Sequence, residues 1–284
     1  LGMTGKVPDH HLITMRYRAG EISTMNIDVK LDPDIWKQII TIAEAVATEI
    51  SLCFDSEGLG IEQQTSDKSN MISVRLPASE FISYDVDKDQ VVRVGLGKLS
   101  DLKRRLAGVQ MIHLHREDKG SMLDFVLAAE NHTRKFSIPI IALTDEHKSA
   151  RKMDDLKIGF GAEFKLVPDA LENIMKDISL VSKRMKIQVE EDRLVFSAGD
   201  VGEGEVRVEL EKGDELYSLL KGSKDLLATE YSIEILKEFK DALKASDPVF
   251  CLAHRKPMMI EMKLGDTGSA RILLAPVLER RKTE

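Results

Sequence analysis

From Asn26 onward, short runs of alternating apolar and polar residues are separated by turn residues, and four stretches switch to a helical period. Ile27-Asp28-Val29-Lys30-Leu31 alternates and predicts a strand over 26–31. Pro33-Asp34 then opens a helix over about 34–47, with Ile35, Ile39, Ile42 and Val46 on one face. Strands follow over 51–54 and 59–63, joined by the acidic turn Asp55-Ser56-Glu57-Gly58, and then over 71–76 and 91–96. A helix over about 98–107 carries Leu99, Leu102 and Leu106 on one side, and strands over 111–116, 123–128 and 134–138 complete the half.

The second half runs through the same order. A strand over 164–167 meets Pro168-Asp169 and a helix over about 169–182 with Leu171, Ile174, Ile178 and Val181 inward. Strands over 187–190 and 194–197 flank Glu191-Asp192, and strands over 204–210 and 224–230 lead to a helix over about 232–244. Strands over 249–253, 258–264 and 271–275 close the chain. The Pro-Asp pairs and the two strand-ending prolines, Pro139 and Pro276, recur at an offset of about 135 residues, far too long for a solenoid and therefore the mark of a duplicated domain. The reading is an α+β class with two similar domains, 25–142 and 158–284, each holding two helices and many antiparallel strands. The segment 143–157 is charged, without an apolar period, and reads as a connector. Residues 1–24 form an N-terminal extension with a candidate strand at 12–17, and Leu1-Gly2 ahead of Met3 reads as an appended dipeptide.

Composition narrows the function classes. The 284 residues are 43% apolar, and no run approaches the roughly 18 apolar residues of a membrane span. Cys53 and Cys251 lack the spacing of a metal or redox pair, so the reading is buried thiols in a reducing compartment. The formal net charge of −7 argues against a nucleic-acid partner when taken globally, but the placement of the cations matters more than their sum. There is no Gly-rich phosphate loop, no nucleophile elbow and no recognisable carboxylate dyad, so the expectation is a non-enzyme without a cofactor. His113 and His115 share a strand face and could hold a metal, but they read first as structural residues, and no metal is assigned.

The ordered set of segments resembles the sliding clamps of the proliferating-cell-nuclear-antigen family, archaeal type. The stretches that carry it are Leu171-Glu172-Asn173-Ile174-Met175-Lys176-Asp177-Ile178-Ser179-Leu180-Val181-Ser182 and Leu273-Leu274-Ala275-Pro276-Val277-Leu278-Glu279, supported by Phe136 to Pro139 and by Pro257-Met258. Two departures stand out. Gln64-Thr65-Ser66-Asp67-Lys68-Ser69 replaces the family's usual Met-Asp-Pro-Ser loop, and Val277 replaces a basic residue.

Three of the four helices set cations opposite their apolar stripe: Lys98, Arg104 and Arg105; Lys176 and Lys183; Lys237, Lys240 and Lys244. The first helix offers Lys37. Singly these are ordinary solvated faces. The resemblance implies a DNA-clamp fold in a pseudo-sixfold ring, whose helices line a hole where these cations meet duplex DNA phosphates without reading bases. It also implies that three copies close the ring by edge pairing, through Phe136 and Ile138 of one copy and Val206 and Val208 of the next, so that Ile138→Asp should weaken assembly. Pattern alone leaves these as strands within their own sheets. The resemblance further implies a partner pocket from Lys68, Met71, Leu156, Ile158, Pro257, Ala275 and Pro276, which takes short peptides of a DNA polymerase, clamp loader, flap endonuclease or DNA ligase. It implies a cytoplasmic, nucleoid-associated processivity factor for replication and repair, with a protein scaffold or checkpoint-type clamp subunit as the alternative.

Overall fold

The computed structural model describes residues 26–117, 120–143, 153–190, 193–200, 204–211, 213–223 and 227–277. The N-terminal extension with its candidate strand, most of the connector and the first three residues of the expected 224–230 strand lie outside them.

The first half contains β1 (Ile27–Leu31), α1 (Pro33–Glu44), β2 (Glu49–Asp55), β3 (Gly58–Gln64), β4 (Asn70–Pro77), β5 (Ser83–Val86), β6 (Gln90–Gly95), α2 (Leu96–Lys103), β7 (Val109–Arg116), β8 (Met122–Ala129) and β9 (Thr133–Ile141). The second contains β10 (Ala162–Leu166), α3 (Pro168–Ile178), β11 (Arg184–Val189), β12 (Arg193–Asp200), β13 (Gly204–Glu211), β14 (Tyr217–Lys221), β15 (Leu227–Ser232), α4 (Ile233–Glu238), α5 (Lys240–Lys244), β16 (Val249–Leu252), β17 (Met258–Leu264) and β18 (Gly268–Leu274). The recurring Pro-Asp has a physical role. Proline occupies the first turn of α1 and of α3, where its missing N–H costs nothing, and the aspartate that follows favours the positive helix end.

Strand order repeats along with element order. In the first half β5-β1-β7-β8-β9 and β4-β3-β2-β6 are neighbours; in the second, β14-β10-β16-β17-β18 and β13-β12-β11-β15. All these pairings are antiparallel. β18 of the second half then pairs with β4 of the first, from Ser269 opposite Arg75 to Leu274 opposite Asn70, which fuses the halves. Helices pack on the apolar sheet faces, with Trp36 of α1 fully buried 5.6 Å from the Phe125 ring of β8.

Three features differ from the sequence reading. β5 and β14 are not anticipated, because Ser83–Val86 has only four residues in a polar stretch and Tyr217–Lys221 places Leu219 and Leu220 side by side without alternation. The first three helices end several residues early. The last is two helices meeting at Phe239, whose N–H bonds to the Leu236 carbonyl at 3.2 Å. A tight i to i+3 turn eclipses side chains three apart, which turns Phe239 onto the buried side with Leu236.

Cys53 is half-buried in β2. Cys251 in β16 is buried, and burial, reinforced by Glu261 and Glu163, pushes its thiol up to about 12. At about pH 8 roughly one thiol in 10,000 is then ionised, so iodoacetamide should leave Cys251 unmodified until the protein unfolds. Peptide mass spectrometry checks this; rapid labelling of the native protein would mean that β16 opens readily.

Candidate functional site

The helices abut in the order α2, α1, α5, α3, forming one row across both halves. Their apolar faces lie on the sheets, and all nine expected DNA-facing cations are exposed: Lys37, Lys98, Arg104, Arg105, Lys176, Lys183, Lys237, Lys240 and Lys244. The structure separates them by their partners. Lys176 reaches Glu172 at 2.9 Å, and Lys244 reaches both Glu172 and, at 3.1 Å, Asp169. The Lys244 and Lys176 ammonium groups hold the Glu172 carboxyl down at about 2. Arg104 pairs with Asp101 at 3.1 Å, Lys183 with Glu234 at 3.1 Å, and Lys237 donates to the Ser179 hydroxyl at 2.8 Å. Lys37, Lys98, Arg105, Lys237 and Lys240 make no ion pair among the described residues, although Lys237 is tied to the neutral Ser179 hydroxyl. Lys103, an apparent member of the α2 basic face, instead turns back to Glu44 and ties α2 to α1.

The strand edges follow from the repeated order. β18 and β4 pair within the chain; their counterparts are β9 and β13. Among the described residues β13 has β12 on one side only. β9 pairs with β8 from Thr133 to Pro139, and only Ile140 and Ile141 reach β6 on its other side. Proline at position 139 suits such an edge, since it has no N–H to offer. Phe136, Val206 and Val208 are half-buried against the chain's own core. Ile138 differs from the rest of this set: at 3% exposure it is core packing of the chain itself, so aspartate there would damage the fold before it tested any contact between copies.

At the β4–β18 junction lies a small apolar cluster separate from the main core. Met71 of β4 faces Leu273 of β18, and both are buried together with Met153. Leu156, Ile158 and Met259 pack on them, half-exposed. The connector's 3₁₀ turn, Met153–Asp155, is docked by the Met153 N–H donating to Glu62 at 3.3 Å and by an Arg271–Asp154 pair at 2.7 Å. Alongside, the Ala275 N–H donates to the Ser69 carbonyl at 2.8 Å, which fixes the end of β18 to the 65–69 loop. Lys68 sits exposed in that loop with a left-handed φ of 61°. Asp67 organises it by accepting from the Thr65 hydroxyl at 2.6 Å and from Ser69 N–H and Oγ at 3.0 and 2.8 Å; these bonds, Thr65's first, hold its carboxyl down at about 2. The structure thus brings Met71, Leu156 and Ile158 into one cluster and sets Ala275 beside the loop that carries Lys68. Pro257 and Pro276 are half-buried, and neither belongs to the cluster. Met153, Met259 and Leu273 are members that sequence reading misses. Met153 sits in a charged segment with no apolar period, and only its docking on β4 reveals it.

Comparisons with known proteins agree with this geometry. Residues 27–147 match the family model described as proliferating cell nuclear antigen, N-terminal domain. A curated DNA polymerase sliding clamp of Pyrococcus abyssi is 27% identical over 249 residues, covering 85% of this chain and 94% of that protein. The crystal structure of PCNA from Thermococcus kodakaraensis superposes with a TM-score of 0.79 at 18% identity, over 88% of this chain and 100% of that one. A PCNA2–PCNA3 complex from Sulfolobus tokodaii gives 0.72 at 23% identity, over 88% and 98%. With the clamp fold matched over most of the chain and a sliding-clamp relative aligned across nearly its whole length, the chain is similar throughout to the PCNA sliding clamps of archaea.

Proposed function

We propose that this protein is a DNA polymerase sliding clamp: three copies close into a ring around duplex DNA, hold it without sequence preference, and tether polymerase, nuclease and ligase. The observation that carries this reading is the repeated strand order. It pairs β18 with β4 inside the chain, whereas of the equivalent strands β9 meets β6 only at Ile140 and Ile141 and β13 has no described strand on its outer side. A head-to-tail contact of this kind generates a ring when its rotation closes. Six similar domains then surround one hole lined by the helix row. The two domains are taken as 25–142 and 158–284, with 143–157 connecting them.

Such a clamp needs no chemistry of its own. It raises the effective concentration of an enzyme at its substrate. The cations of the helix row favour phosphate, while the chain's net charge of −7 leaves its other surfaces repelling DNA. No helix among the described residues is long and apolar enough to cross a membrane, in keeping with a protein that works on DNA inside the cell.

The test is primer extension on a singly primed circular template with the organism's polymerase and loader. Product length should rise on adding this chain, alone or with sister chains if it assembles as a hetero-oligomer. No stimulation in either case would remove the clamp reading.

Reversing Lys37, Lys98, Arg105 and Lys240 to glutamate should shorten retention on closed DNA and flatten its salt dependence, because fewer counterions are released. Reversing Lys176 and Lys244 should weaken retention less, since Glu172 and Asp169 already compensate them. Retention at several salt concentrations separates the two sets; equal effects would mean that the ion pairs open at the DNA surface.

A further inference from the structure

On the sheet face turned away from the helices, β1 and β7 bring together three side chains that the clamp function does not use. Ile27, Val29, Ile112 and Leu114 point inward and are buried, so their alternates Asp28, His113 and His115 share the outer face. Asp28 stands directly opposite His115. Asp28 Oδ1 lies 2.8 Å from His113 Nε2, and its Oδ2 lies 3.6 Å from His115 Nδ1. One donor atom from each of the three residues falls within 4.8 Å of the others.

An ordinary histidine–aspartate hydrogen bond accounts for His113 alone. It leaves His115 unexplained: Nδ1 is buried and has no hydrogen bond, because 3.6 Å is too long for one. The same cross-strand row also runs Asp85, Asp28, His115, Asp124, with two carboxylates directly opposed on β5 and β1. Opposed like charges destabilise a sheet. Asp124 is taken up by Lys135 at 2.8 Å and Ser137 at 2.5 Å, but no described lysine or arginine pairs with Asp28.

We infer that Asp28, His113 and His115 bind a divalent transition ion, with zinc the best match. Two imidazoles and one carboxylate select zinc or its neighbours over magnesium and calcium, which prefer all-oxygen sites. Bonds of 2.0–2.2 Å place adjacent donors about 3.3 Å apart. The present 2.8 Å Asp28–His113 and 3.6 Å Asp28–His115 separations bracket that value. The ion would satisfy His115 Nδ1, offset the Asp28–Asp85 opposition and stitch β1 to β7. Three protein ligands leave one position open to water on the solvent side. The site lies away from the helix row and the connector cluster, so it acts on the stability of the first domain rather than on DNA or peptide binding.

Zinc titration of the full chain by calorimetry tests this, with His10→Gln and His11→Gln introduced in every sample to remove that adjacent pair. One ion per chain is expected. His113→Gln with His115→Gln should weaken binding at least about 100-fold, and Asp28→Asn about tenfold. Cobalt substituted for zinc should give a visible absorption band that disappears in the double variant. Zinc should raise the melting temperature of the parent and leave that of the double variant unchanged, and circular dichroism confirms that both variants are folded. Absence of zinc binding by the parent, or equal binding by the folded double variant, would overturn the assignment.

Discussion

Aspartate at Val206 and Val208 should bring the light-scattering mass of the assembled protein down from three chains to one 31.8 kDa chain. The two valines stand on β13, whose outer edge carries no strand among the described residues. They are half-buried within the single chain, so water still reaches carboxylates placed there. Pairing with β9 of a neighbouring copy would cover them. Burying an unpaired carboxylate costs several kcal/mol, and each 1.4 kcal/mol is tenfold in an association constant. The double variant should therefore associate at least about 1,000-fold more weakly. Phe136→Asp tests the same contact from the β9 side. A melting curve close to that of the parent shows that the chain itself is intact. A variant that remains a trimer would mean that the copies meet elsewhere, and the assignment of β9 and β13 as the closing edges would fall.

The second large effect concerns the cluster at the β4–β18 junction. Truncating Ile158 to alanine and replacing Ala275 by aspartate should weaken a peptide from the organism's own polymerase at least about 100-fold while leaving the assembly mass unchanged. Ile158 is half-exposed and rests on the Met71–Leu273 pair, so it is available to an incoming apolar or aromatic side chain. Ala275 keeps its backbone position through the bond to Ser69, so the substitution changes the surface and not the path of the chain. A carboxylate there loses its water when the peptide arrives and finds no partner. Met71 and Leu273 are poor choices for this experiment, because they are buried in the seam that joins the halves. Calorimetry decides: unchanged affinity would show that peptides dock on another surface. The 65–69 loop is ordered by Asp67 in place of the family's usual residues, and on the proposed reading it borders the pocket and sets which peptides fit.

Much of this architecture is written locally. Period-2 alternation marks most of the strands, apolar spacing marks the helices, and Pro-Asp starts α1 and α3 in both halves for the same reason of N-terminal helix chemistry. The exposure of the cations within the helices is equally local, since a helical period dictates which residues oppose the apolar stripe, whereas Arg104, Arg105 and Lys183 lie just past the helix ends. β5 and β14 escape because their identity as strands comes from pairing with β1 and β10 and not from any pattern of their own.

The tertiary structure decides everything that depends on residues distant in sequence. It alone joins β18 to β4 across about 200 positions and thereby shows which two edges are left over. It assigns Ile138 to the chain's own core while Phe136, two residues earlier, stays half-open. It neutralises Lys176 and Lys244 with acids on α3 and leaves Lys240 uncompensated, although all three look alike on a helical projection. It seats Met153 on β4 and sets Asp28 against His113 and His115 from strands more than 80 residues apart. Periodicity records only which way a side chain faces along its own element. Which partner it meets is set by strand register and packing, and those are properties of the folded chain.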